Sequence, residues 1–168
     1  MSVEEHRKRA RAELGFGVLT VSDSRTARDD TSGDRLRGLA LAAGHRVESS
    51  ALVADDVAAI RAALLAMLAA PAVDVVVATG GTGFSPRDVT LEAVAPLFER
   101  PIEGFGELFR MLSYAEVGAA AMLSRAAAGL VGRRPVFLLP GSPRAAALGM
   151  EKLILPEAGH LLALVRQT

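Results

Sequence analysis

The run Val73-Asp-Val-Val-Val-Ala-Thr79, continued directly by Gly80-Gly-Thr-Gly83, constrains this chain more than any other stretch. Branching at Cβ favours extended backbone. A nearly unbroken apolar run suits a strand covered on both faces, as in a parallel sheet whose crossovers are helices. Gly17 to Val21 reads as a first buried strand and His45 to Val53 as a weaker second. Val136 to Leu139 reads as another. Between them lie alanine-rich helical stretches. One is capped at Ser32 and closed by Gly44, and one is opened by Asp55-Asp56 and stopped by Pro71. Further helices are expected near Thr90, from Ser142-Pro143 and near Pro156. Strands alternating with helices predict an α/β fold, a three-layer α/β/α sandwich around a mostly parallel sheet. Ligands in such folds sit beyond the carboxyl ends of the strands.

The 168 residues fit one domain, residues 15–168, behind a charged arm over residues 1–14. Lys plus Arg and Asp plus Glu number 19 each, so there is no basic excess of the kind that binds nucleic acid or a membrane surface. Without cysteine, disulfides, thiolate zinc sites and a cysteine nucleophile are excluded. Met1 to Glu13 has no apolar signal segment, and the longest apolar run, Ala62 to Val73, is broken by Pro71. A cytoplasmic protein is expected.

Thr79-Gly80-Gly81-Thr82-Gly83 is the stretch that offers chemistry. Glycines let a backbone turn tightly and bring its N–H groups against an anion, and the threonines add hydroxyls. The same residues also suit a tight strand-to-helix turn with no ligand. No Lys-Ser or Lys-Thr follows, so this is not a Walker loop. Gly15-Phe-Gly17 and Gly104-Phe-Gly106 lack the third glycine of a dinucleotide fingerprint. Beyond the loop stand Arg87 and Asp88. A carboxylate beside a phosphate site makes sense if a divalent metal bridges the two. It makes equal sense as a helix cap, and Asp55 has the same two readings. Arg87 could pair with a phosphate or with Asp88. His6, His45 and His160 have no partner at metal-ligand spacing. Met111 and Met122 read as core or subunit interface, and Arg133-Arg134 as a solvated turn.

Several motifs in order resemble the MogA/MoaB family of molybdenum-cofactor biosynthesis proteins: Thr79 to Gly83, Arg87-Asp-Val-Thr90, Glu103-Gly-Phe-Gly-Glu107 and Pro140-Gly-Ser142. So do Leu19-Thr-Val-Ser-Asp-Ser24, Asp30-Thr-Ser-Gly33, Phe109 to Ser113 and Leu123 to Gly129. The segments around Asp30 and Phe109 are closer to the MoaB branch. The resemblance implies a Mg²⁺-dependent adenylyltransferase that joins ATP to molybdopterin and releases pyrophosphate. It assigns Asp55 and Asp88 as the functional aspartates, holding the metal. Thr79, Gly80, Gly81, Thr82 and Gly83 become the phosphate loop. Ser22, Asp23, Ser32, Glu107, Ser124 and Ser142 belong to segments lining the substrate site. It further implies a homo-oligomer, trimer or hexamer, and a molybdate-insertion enzyme as partner. The rival reading within the family is a non-catalytic molybdopterin-binding or assembly protein. Where relatives carry proline after the Asp-Val-Thr triplet, this chain has Leu91.

Overall fold

The structure, a computed structural model, describes residues 2–5 and 13–167. The charged arm lies largely outside them. A six-stranded sheet forms the middle layer in the order β2-β1-β3-β6-β5-β4. Its strands are β1 (Gly15–Val21), β2 (Arg46–Val53), β3 (Val75–Thr79), β4 (Arg100–Pro101), β5 (Ala127–Val131) and β6 (Arg134–Leu139). β2, β1, β3 and β6 pair in parallel, and β5 is antiparallel to both its neighbours. The mostly parallel α/β/α sandwich predicted from the alternation is the architecture found.

Period-2 alternation decides what each central strand buries. Phe16, Val18, Val75, Val77, Phe137 and Leu139 face one layer, with Leu36 of α1 (Thr31–Ala42) and Phe105 and Phe109 of α4 (Glu103–Val117). Met150 and Leu162 join the same cluster, Leu162 from α6 (Leu155–Val165), which follows α5 (Pro143–Gly149) after one π turn. Leu19, Val21, Val76, Ala78, Val136 and Leu138 face the opposite layer, with Ile60, Leu64 and Met67 of α2 (Val57–Ala69) and Ala93 and Val94 of α3 (Thr90–Val94).

Several local expectations change. Asp30 caps α1, accepting from Gly33 N–H at 3.0 Å, whereas Ser32 is a fully buried helical residue. Asp30 is itself buried and accepts from Thr20 Oγ1 at 2.9 Å, so it fastens the cap to β1. Met111 and Met122 are exposed, not core. Arg134 donates to the carbonyls of Leu68 and Ala70, and Arg133 to that of Val165. Gly132 and Arg133 form the exposed turn before β6 that the sequence suggests, and from it the two arginines also tie off helix C-termini. Gly118–Leu123 is 3-10 helix. Among the described residues no helix is long and apolar enough to cross a membrane.

Candidate functional site

β1 leads through α1 to β2 on one side of it, while α2 returns the chain to β3 on the other. The order reverses there, and the crevice beyond β1 and β3 is where such sheets take ligands. A cleft of about 550 Å³ lies there, lined by Ser22, Asp23, Ser24 and Arg25 after β1 and Asp55 after β2. Thr79, Gly80, Gly81 and Asp88 line it from the β3 side, and Gly141 and Ser142 from the loop after β6.

The glycine loop is built by steric necessity. Gly80 has φ +99°, and a Cβ there would stand 2.1 Å from the Val21 carbonyl oxygen. Gly81 has φ +66°, and its Cβ would stand 2.2 Å from Thr90 Oγ1. Neither position admits a side chain. Thr79 Oγ1 donates to the Pro140 carbonyl and Thr90 Oγ1 to that of Gly80, both at 2.7 Å. These threonine hydroxyls are spent on shaping the loop. Gly80 N–H goes to Leu139 O, while among the described residues nothing accepts from the N–H groups of Gly81, Thr82 or Gly83. Three amides without a protein partner at the end of a central strand form the kind of concavity that receives an anion.

Both capping alternatives for the aspartates fail. Asp56, not Asp55, caps α2, accepting from Ala59 N–H at 2.8 Å. Val89 stands at the cap of α3 without a side-chain bond, and Asp88 instead accepts from Ser85 N–H at 3.0 Å. Both carboxylates lie against the glycine loop. A Cβ on Gly81 would fall 2.9 Å from Asp55 Oδ1, and one on Gly83 would fall 2.7 Å from Asp88 Oδ2. Partial burial pushes the Asp55 carboxyl above its usual range, and the charges of Asp23 and Asp88 push it further. Arg87 pairs with Asp23, not with Asp88, and that guanidinium, with the Asp55 amide, holds the Asp23 carboxyl below the usual range.

Two carboxylates beside loop amides that are unpaired among the described residues resemble the way Mg²⁺ is held, with substrate phosphates completing the shell. No group of three His, Cys, Asp or Glu suited to a metal occurs among the described residues. A metal here would therefore depend on its ligand's oxygens.

The remaining residues singled out from the sequence take different places. Ser32 Oγ donates to Gly141 O at 2.5 Å behind the cleft wall. Thr82 is buried, and Gly83 borders the loop next to Asp88. Ser142 caps α5 and also lines an adjoining cavity of about 150 Å³, which contains Ser124. Ser124 Oγ is buried there and finds no hydrogen-bond partner among the described residues. Glu107 is exposed on α4 and lines neither space.

Sequence reasoning missed two arginines. Arg125 donates to the carbonyls of Thr82 and Asp88 at 3.1 and 3.3 Å and pairs with Glu92 at 2.6 Å, bridging the end of the glycine loop to the segment that carries Asp88. Arg25 reaches from the cleft wall to Ser32 Oγ and Gly141 O. Neither sits in a pattern that announces a partner.

Residues 17–160 match the protein family described as "Probable molybdopterin binding domain". Molybdenum cofactor biosynthesis protein B of Bacillus cereus is 52% identical over 96% of each chain. A crystal structure of a molybdenum cofactor biosynthesis protein B superposes with a TM-score of 0.89 at 50% identity, over 92% of this chain and 98% of that one. The tungsten cofactor synthesizing protein MoaB from Pyrococcus furiosus superposes at 0.86 with 39% identity, over 94% and 100%.

Proposed function

Because the chain belongs to the molybdopterin-binding domain family of molybdenum cofactor biosynthesis proteins, we propose that its cleft adenylylates molybdopterin. An oxygen of molybdopterin's terminal phosphate attacks the α-phosphorus of ATP. The bond from that phosphorus to the bridging oxygen of the β-phosphate breaks, and pyrophosphate leaves with the electron pair. The attacking phosphate is already ionised near neutral pH, so the step needs positioning and charge neutralisation more than a base.

The observation that carries this reading is the placement of Asp55 and Asp88. Each had a structural role available as a helix cap, neither performs it, and both stand over the glycine loop. They would hold Mg²⁺, which when bound neutralises charge on the triphosphate. The N–H groups of Gly81, Thr82 and Gly83 bind phosphate oxygens. Arg125 keeps those amides in register by fixing Thr82 and Asp88 from behind. Asp23 orients Asp55 by accepting its backbone N–H at 2.9 Å.

Purified protein incubated with molybdopterin, ATP and Mg²⁺ should yield adenylylated pterin and pyrophosphate in equal amounts. Pterin binding without pyrophosphate release would reassign the chain to the non-catalytic, assembly side of its family.

A further inference from the structure

Charge in the cleft is divided. Asp23, Asp55 and Asp88 cluster with the glycine loop, and the one cation among them, Arg87, is committed to Asp23 through two hydrogen bonds to a single oxygen. Arg25 stands apart from this group. It is half-buried in the cleft wall, and its two hydrogen bonds go to neutral oxygens, Ser32 Oγ at 2.7 Å and Gly141 O at 3.1 Å. Among the described residues it has no carboxylate within ion-pair distance. Its acidic neighbour Asp29 is engaged first by the amide and hydroxyl of Thr26 and feels the charge of Arg25 only as the least of its influences. Ser32 is fully buried and bonded to Gly141 O itself, so the guanidinium is held from behind by a rigid pair. Guanidinium carries five donors, and only two are used.

We propose that Arg25 binds the phosphomonoester of the substrate that arrives without a metal. This rests on the adenylylation reading, which requires two anions in one cleft. The nucleotide triphosphate can share a cation with Asp55 and Asp88. A phosphomonoester dianion placed beside those carboxylates would be repelled, whereas Arg25 offers a charge not tied up in an ion pair among the described residues and a fork matched to phosphate. Gly141 anchors Arg25 in the cleft, and the next residue, Ser142, lines both the cleft and the smaller cavity. The phosphate end of the pterin substrate thus lies where cleft and cavity meet.

Binding of anaerobically prepared molybdopterin, of its dephosphorylated form and of Mg-ATP is measured on the wild type, Arg25→Ala and Arg25→Gln. The glutamine keeps a polar, uncharged side chain in the cleft wall, so it serves if the alanine variant is unstable. Charge-assisted hydrogen bonds of this kind set an expected loss of about 10- to 100-fold in molybdopterin affinity. The dephosphorylated pterin and Mg-ATP should bind both forms within about twofold. Unchanged molybdopterin affinity, or an equal loss for both pterins, overturns the assignment. Inorganic phosphate, followed by ³¹P line broadening with the glycine loop occupied by a non-hydrolysable Mg-ATP analogue, reads the Arg25 site without any pterin. Wild-type broadening lost in Arg25→Gln supports the assignment even if molybdopterin fails to bind, a failure that would count against adenylylation alone. Identical broadening in both proteins overturns it.

Discussion

Arg87 grips Asp23 between the loops that follow β3 and β1, its Nε and Nη2 donating to one carboxylate oxygen at 2.9 and 2.6 Å. The pair is solvent-exposed, so its worth to stability is small. Its consequence is electrostatic. Asp55 feels Asp23 and Asp88 as like charges and Arg87 as a relieving one, so Arg87 occupies the part of the cleft's charge balance that a divalent cation would take. Arg87→Ala should therefore raise the affinity of the nucleotide-free protein for Mn²⁺ by roughly two- to fivefold, read by electron paramagnetic resonance. Weaker Mn²⁺ binding in the variant would show that Arg87 organises the acids instead of competing for them.

Asp55 gives a stability prediction with a definite sign. Its folded pKa is raised above 3.8, by burial first and then by Asp23 and Asp88. Ionised Asp55 therefore opposes folding at every pH above that raised value, and the penalty vanishes as pH falls to 3.8. Asp55→Asn should melt about 1 °C higher than wild type at pH 7, the gain being small because the group is partly solvated. The difference should shrink as pH approaches 4. Asp23 behaves oppositely, since its lowered pKa gives stability that is present above 3.8 and lost as pH falls through the folded value.

Asp88→Asn separates chemistry from folding. The carboxylate accepts one loop amide, a bond the asparagine carbonyl can retain, and it caps no helix. Melting should be nearly unchanged. Single-turnover formation of adenylylated molybdopterin should fall by roughly two to four powers of ten if the charge holds a metal against the triphosphate. Full turnover in a normally folded variant would remove Asp88 from the reaction.

Gly81→Ala tests the cradle. The new Cβ would sit 2.2 Å from Thr90 Oγ1 at φ +66°, which sets the side chain against the hydroxyl that holds Gly80 O. Strain of this order lowers the melting temperature by roughly 4 to 10 °C, and Mg-ATP affinity should drop at least about tenfold. Gly132→Ala is the control. It shares the strained φ, +61°, but its Cβ would meet nothing within 4 Å, so it should cost stability without touching binding.

The sequence showed what period-2 and helical patterns can show. β1 and β3 were legible because their apolar runs are buried on both faces, and the glycine loop because three glycines directly after a buried strand mark a tight turn, with or without a ligand. β5 was not, since Ala127-Ala-Gly-Leu-Val131 carries few strand formers, and its Gly129 is there to admit the Phe98 ring, 2.3 Å from where a Cβ would be. The cap of α1 went to Ser32 because both Asp30 and Ser32 fit locally, and only burial against Thr20 decides for Asp30. Asp55 and Asp88 were visible as candidates, but their release from capping depends on which neighbour takes the cap. Arg25 and Arg125 were invisible because their carbonyl partners Gly141 and Asp88 lie 116 and 37 residues away in the chain, and the nearer Ser32 is brought to Arg25 only by the fold.

Assembly is the last expected outcome, and α4 argues for it. Phe105, Phe109 and Ser113 form its buried face, yet Leu108, Met111, Tyr114 and Val117 repeat at every third residue on an exposed one. Met122 and Leu123 extend that surface from the following 3-10 turn, with exposures of 76% and 55%. A surface helix of a monomer shows one apolar stripe, and a contiguous second one marks an interface. The expectation is a trimer or a dimer of trimers at micromolar concentration, measured by light scattering. Met111→Glu would place a charge in that surface without touching the core, so it should dissociate the assembly and leave far-ultraviolet circular dichroism unchanged. A wild type that is monodisperse as a monomer would leave this second stripe without an assembly role.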